Sequence, residues 1–100
     1  MGVRLTRTAV VDRGKADEAM EFAAAVTSYI SENWGISIIW GMEIGGTFGR
    51  VHWFSDYANM AHLEQTYGMT MSDEGYRQLL ADANDLFITG ETKDTLVYTM

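Results

Sequence analysis

The segment Gly49-Arg50-Val51-His52-Trp53-Phe54-Ser55-Asp56-Tyr57 is an aromatic, β-branched run that leads straight into helix-capping residues, and it leaves little choice of architecture. Upstream, Ile36, Ile38, Trp40, Met42 and Ile44 alternate with Ser37, Ile39, Gly41 and Glu43, the two-residue period of a pleated strand. Gly45-Gly46-Thr47 between the two runs reads as a turn, so they form a hairpin. Its register decides the faces. With Gly45-Gly46 as a two-residue primed turn, Ile44 pairs with Thr47, and Ile38, Trp40 and Met42 share a side with Gly49, Val51 and Trp53. A three-residue loop would set Arg50 and His52 beside Met42 and Trp40 and mix charge into the apolar side, so the shorter turn is preferred. The opposite side then collects Ile39, Glu43, Phe48, Arg50, His52 and Phe54.

The rest of the chain supplies cover for the apolar side. Residues 3–11 form a first strand that mixes β-branched residues with Arg4 and Arg7, whose opposite parity lets only one of them face each side. Residues 15–33 carry Ala19, Phe22, Ala23, Val26 and Ile30 at helical spacing, with Asp17 and Glu18 in the first turn and Gly35 placed to end the helix. Ser55 or Asp56 is expected to cap a second helix whose stripe Met60, Leu63 and Tyr67 runs to Gly68. Beyond a bridge at Met69-Thr70-Met71, Ser72 starts another segment with Tyr76, Leu79, Leu80, Ala83 and Phe87 on one face. Thr89-Gly90-Glu91 turns the chain into a last strand, residues 95–100. The order βαββαβ is that of a ferredoxin-like α+β sandwich with a four-stranded antiparallel sheet. No proline, repeat or low-complexity tract interrupts it, so residues 1–100 are expected to be a single domain.

Composition narrows the function. A net charge of −7 with 7 scattered basic residues argues against nucleic acid and anionic membranes. With no cysteine, the chain has no thiolate nucleophile, disulfide or cysteine-held metal. His62, two residues from Glu64, lacks helical metal spacing, so neither a metal nor another cofactor is expected. The start of the chain is charged, with no apolar leader, and no run approaches the roughly 18 apolar residues of a membrane span, so a cytoplasmic protein is expected. Nearly half the residues are apolar, among them 7 methionines. That load is heavy for a four-stranded monomer and points to a homodimer with an apolar interface.

The order of elements and the aromatic third strand resemble the dimeric α/β barrel superfamily. The passage Gly49 to Tyr57, with a histidine and an aromatic ahead of a tyrosine at the helix start, is most similar to NIPSNAP-like domains. The resemblance implies that two sheets face each other, with a barrel interior lined by the sides opposite the helices. It also implies several activities, among them binding of a small apolar or aromatic molecule, cofactor-free monooxygenation and polyketide cyclisation. Haem-degrading relatives use a strand-one asparagine that this chain lacks.

On that interior His52 is the candidate catalytic acid-base group, because it lies mid-strand and histidine titrates near neutral pH; Glu43 is the carboxylate that could orient it. Arg50, Glu43, Phe54 and Ile39 are the candidate ligand-binding residues. Each also has a plain structural reading: a hydrogen-bonded histidine, an ion pair between Arg50 and Glu43, and aromatic packing at a dimer contact. The favoured reading is a homodimeric barrel that holds a small apolar or aromatic molecule between its sheets. The alternative is an enzyme, either a monooxygenase in which His52 deprotonates a phenol or a cyclase in which Arg50 holds an enolate.

Overall fold

Four antiparallel strands, β1 (Gly2–Val10), β2 (Ser37–Met42), β3 (Arg50–Tyr57) and β4 (Lys93–Thr99), form one sheet in the order β2-β3-β1-β4. In this computed structural model, which describes residues 1–46 and 49–100, three helices cover one side of the sheet: α1 (Ala16–Trp34), α2 (Met60–Ser72) and α3 (Glu74–Asp82). The architecture is the ferredoxin-like α+β sandwich expected from the sequence, with its second helix split in two. No helix among the described residues is long and apolar enough to cross a membrane.

The apolar period of α1 buries Ala19, Ala23 and Val26 against the sheet. Alanine at the first two positions lets the helix axis come close, and it costs little side-chain entropy in doing so. Gly35 stops α1 with φ 62°, in the left-handed region where a Cβ is penalised, and its N–H donates to the Ser31 carbonyl at 2.9 Å. On the sheet, Val51 and Trp53 of β3 and Ala9 of β1 meet Ala23, Val26 and Tyr76 in the central core.

The hairpin keeps the expected faces but not the expected register. Trp40 lies opposite Trp53 and Met42 opposite Val51, and the Glu43 N–H donates to the Arg50 carbonyl at 2.8 Å. The connection is therefore longer than a two-residue turn, and the strands are displaced by two residues from the alignment that turn demands. Two residues is the side-chain period, so every residue keeps its side. The pairing of Ile44 with Thr47 and the side assigned to Phe48 lie outside the described residues.

The helix boundaries also differ. Ser55 pairs with Leu5 and Ile38 inside the sheet, and Asp56 receives the guanidinium fork of Arg4 at 2.8 and 3.0 Å, so neither caps a helix. Asn59 takes that role, its side chain accepting from the His62 N–H at 2.8 Å. α2 runs through Gly68 and Met69-Thr70-Met71, because a single glycine costs a helix only ~1 kcal/mol. The break falls at Asp73, which turns extended (φ −86°, ψ 120°) and caps α3 by accepting from the Tyr76 N–H at 2.8 Å. α3 ends at Asp82, short of Phe87, which instead bridges to Val11 beside β1. β4 begins at Lys93 rather than at residue 95, and this brings Asp94 into register with Arg7.

Candidate ligand cavity

Between the helices and the sheet lies a half-open cavity of about 340 Å³. Phe22, Val26 and Ile30 line it from successive turns of α1, and Trp53, Leu5 and Ile38 line it from the sheet. Leu63 and Met71 of α2 and Leu80 of α3 line the far side, where Met71 and Leu80 are exposed. The walls are mostly apolar, and the threonines among them do not offer free donors. The Thr66 hydroxyl donates to the His62 carbonyl at 2.9 Å and the Thr70 hydroxyl to the Tyr67 carbonyl at 2.8 Å, so both protons are used within α2.

The cavity's polar groups come from the sheet and from tyrosines. Arg7 shares the parity of Leu5 and Ala9, so it points toward the helices and lines the cavity. Its Nε and Nη2 donate to the two carboxylate oxygens of Asp94 at 2.7 and 2.8 Å, a fork-on-fork pair. That hydrogen bonding holds Asp94 below its ordinary value of 3.8 and raises Arg7 further. Burial pushes the Tyr76 phenol up, and the nearby Arg7 charge partly offsets it. Trp53, 8 % exposed, has an indole Nε1 that is buried and has no hydrogen-bond partner among the described residues.

A second polar contact fixes the edge of the helix layer. The Tyr29 hydroxyl donates to Asp73 Oδ1 at 2.6 Å, tying α1 to the junction of α2 and α3. The Tyr29 ring packs edge-on against Trp34, with centroids 5.8 Å apart. Asp73 is thereby held below its ordinary carboxyl value, by the Tyr29 hydrogen bond first and by the backbone N–H of Tyr76 next.

The residues singled out from the sequence gather on the other side of the sheet. His52 Nε2 lies 2.7 Å from Glu43 Oε1, and His52 Nδ1 lies 3.3 Å from the Thr8 hydroxyl. These partners favour the tautomer in which Nε2–H donates to the carboxylate and Nδ1 accepts from Thr8. Arg50 completes the group as an ion pair, its Nη1 3.5 Å from Glu43 Oε1. Phe54 stacks on the His52 imidazole with centroids 6.0 Å apart, and Ile39, opposite Phe54 in the ladder, is 63 % exposed. The structure thus brings Glu43, Arg50, His52 and Phe54 together, but none of them, nor Ile39, lines the cavity. Arg4 faces the same open side and is occupied by Asp56.

The cavity residues Arg7, Tyr76 and Trp53 carried a weaker signal. An arginine at the parity of Leu5 and Ala9 marks a charge on the apolar side, and Asp94 at the parity of Leu96 supplies its partner. Chemically the cavity offers bulk apolar contact with N–H and phenol groups at its wall. Among the described residues it contains no carboxylate or imidazole that could serve as a base, and no group of three or more His, Asp or Glu is placed to hold a metal.

This sheet order, with helices on one side and a cavity beneath them, is that of a ferredoxin-like α+β domain. Within that class the fold is the one seen in NIPSNAP proteins. An uncharacterized NIPSNAP domain protein from Burkholderia xenovorans superposes with a TM-score of 0.83 at 14% identity, covering 100% of this chain and 95% of that one. A NIPSNAP family protein from Agrobacterium tumefaciens gives 0.80 at 13% identity, with 100% and 94% covered. SnoaB, a cofactor-independent oxygenase from Streptomyces nogalater, gives 0.72 at 10% identity, with 98% and 92% covered. At these identities the likeness is one of fold. No protein-family model and no curated protein sequence matches the chain.

Proposed function

We propose that this chain is a homodimeric binding protein that holds one small, largely apolar molecule of aromatic size in the cavity under its helices. The observation that carries this reading is the cavity itself. Its volume of about 340 Å³ falls in the range of small-molecule sites, and its apolar walls with a few fixed polar groups match their usual composition. The ligand site thereby moves from the space between two sheets to the layer between each sheet and its own helices.

The open side of the sheet is the surface for the second copy. The chain exposes 6443 Å², against ~5700 Å² for a folded monomer of 11.2 kDa, so it carries more surface than a monomer of its size. Ile39, opposite Phe54, and Val97, opposite Arg4 at the other edge of the sheet, stand exposed on that side. Packing two such sides together covers apolar surface that water otherwise meets.

SnoaB shares the fold, which keeps oxygenation as the second reading. That reading needs a base within reach of the bound molecule. His52 sits across the sheet with both ring nitrogens engaged, and the titratable groups lining the cavity are Arg7, Tyr57, Tyr67 and Tyr76. Binding is therefore the better supported of the two. Titration with N-phenyl-1-naphthylamine, an uncharged fluorescent probe, tests it: saturable binding of one probe per chain is expected, and an unsaturable or absent signal would refute it. Light scattering tests the assembly, since a mass of 11.2 kDa rather than twice that at micromolar concentration would remove the dimer.

A further inference from the structure

Resting on that reading of the cavity, we propose that the Ser55 hydroxyl is the polar anchor of the site and that the ligand it recognises is an uncharged ring compound bearing a hydroxyl group.

Three observations converge on this chemistry. First, Ser55 breaks the pattern of its own face. Along the helix side of β3 it follows Val51 and Trp53, and its ladder partners are Leu5 on β1 and Ile38 on β2, both of which line the cavity with it. A small polar side chain thus sits within an apolar floor, and its size leaves space above it. Second, the hydroxyl is unpartnered and within reach. Ser55 is 4 % exposed and makes no side-chain hydrogen bond among the described residues. The buried side-chain atoms there that lack a partner and are also sealed from water are Thr27 Oγ1, Arg50 Nε and Trp53 Nε1, and the Ser55 oxygen is not one of them. With a strand on either side of it, that oxygen is open only toward the cavity it lines. Buried hydroxyls nearly always find a partner, and here the partner comes with whatever fills the space.

Third, the surroundings select a neutral hydroxyl. A serine hydroxyl donates one hydrogen bond and accepts two, so a ligand hydroxyl can engage it in either role, whereas a ketone uses only its proton. Leu5 and Ile38 bring no charge to Ser55. Arg7 is the one cation among the described lining residues, and it already makes two short bonds to Asp94, at 2.7 and 2.8 Å. An ionised ligand group at Ser55 would be buried without a free counter-charge, which is costly. The rings and branched aliphatic chains of the other walls, Phe22, Val26 and Ile30 among them, suit the apolar body of the molecule.

The test compares four probes of similar shape by NMR titration: 1-tetralol, which has the hydroxyl; 1-tetralone, which only accepts; tetralin, which has neither; and 1-naphthoate, which carries a charge. For the unmodified protein, 1-tetralol is expected to bind about 3- to 10-fold more tightly than tetralin, the size of one neutral hydrogen bond, and more tightly than the other two. In Ser55→Ala the preference for 1-tetralol over tetralin should vanish while tetralin affinity stays within about twofold. The urea midpoint of the ligand-free variant should hold or rise, because a hydroxyl without a protein partner adds nothing to the fold. A preference that survives Ser55→Ala would place the anchor elsewhere, and a lowered midpoint beside it would make Ser55 a packing residue; either overturns the proposal. Equal affinity for 1-tetralol and tetralin in the unmodified protein would overturn the anchor while leaving an apolar cavity in place. Binding of 1-tetralone at least as tight as that of 1-tetralol would overturn the hydroxyl, and tightest binding of 1-naphthoate would overturn the neutral ligand. Failure of all four to bind would overturn the cavity reading, and this inference with it.

Discussion

Two substitutions on the same face of α1 separate a real cavity from ordinary packing. Val26 and Ala23 lie one turn apart and are both buried, at 5 % and 0 % exposure, but only Val26 lines the cavity. Val26→Leu adds a methylene to a space with room for it. Burial of that group contributes about 0.8 kcal/mol. Exchanging a β-branched for an unbranched residue within a helix adds a few tenths more. The sum is about 1 kcal/mol of stabilisation, or roughly 4 to 8 °C in Tm for a domain of this size. Ala23→Leu pushes a larger side chain between helix and sheet where there is no space, and overpacking of this kind costs about 1–3 kcal/mol. Urea unfolding followed by tryptophan fluorescence measures both. The variants should move in opposite directions, and Val26→Leu should also weaken binding of N-phenyl-1-naphthylamine because it takes up part of the site. Equal destabilisation by both would mean that the space beside Val26 is not available, and the argument from the cavity would fall.

Other consequences follow from particular contacts. Gly75→Ala, which helix propensity alone marks as stabilising by up to about 1 kcal/mol, should instead lower the urea midpoint, because a Cβ there collides with the Tyr29 hydroxyl and drives it off Asp73; a raised midpoint would show that Tyr29 moves freely. Asp94 has its native pKa held below the ordinary 3.8, so its pairing with Arg7 adds stability above that value and loses it as pH falls from about 4 through the lowered native pKa. Asp94→Asn should therefore flatten the stability profile below pH 4 while costing under about 1 kcal/mol near neutrality, the pair being partly exposed; an unchanged acid limb in urea melts at several pH values would contradict this. On the proposed dimer, Ile39→Asp puts a charge on the open side of the sheet that the pairing of two such sides would bury, and it should shift the light-scattering mass to that of a monomer, whereas an intact dimer would place the interface elsewhere. His52→Ala breaks the contacts with Glu43 and Thr8 but should leave probe affinity within about twofold, since His52 does not line the cavity; a large loss of affinity would return the site to the open side.

The sequence made the faces of the sheet legible because alternation is a local property. Val51 and Trp53 were assigned to the helix side and Arg50, His52 and Phe54 to the other, and a register off by two residues left that assignment intact. The end of α1 was equally plain, since Gly35 is the residue a left-handed terminus favours. Ser55 and Asp56 misled because they are good capping residues, and only the partners Leu5, Ile38 and Arg4 across the sheet reveal that β3 continues through them. The pair Arg7 and Asp94 was hidden for a related reason. A strand read as starting at residue 95 leaves Asp94 in a loop, and Arg7 then has no partner. The cavity had no local signature at all. It arises where α1, α2 and α3 fail to fill the space above Trp53, and unfilled volume depends on how three separate elements meet.

The most direct measurement is a methyl NMR titration of the protein with N-phenyl-1-naphthylamine. Leu5, Val26, Ile30, Ile38 and Leu63 report on the cavity, while Ile39 and Val97 report on the open side of the sheet. A ligand held under the helices shifts the first set and leaves the second in place. Shifts confined to Ile39 and Val97 would put the ligand on the opposite side and contradict the account.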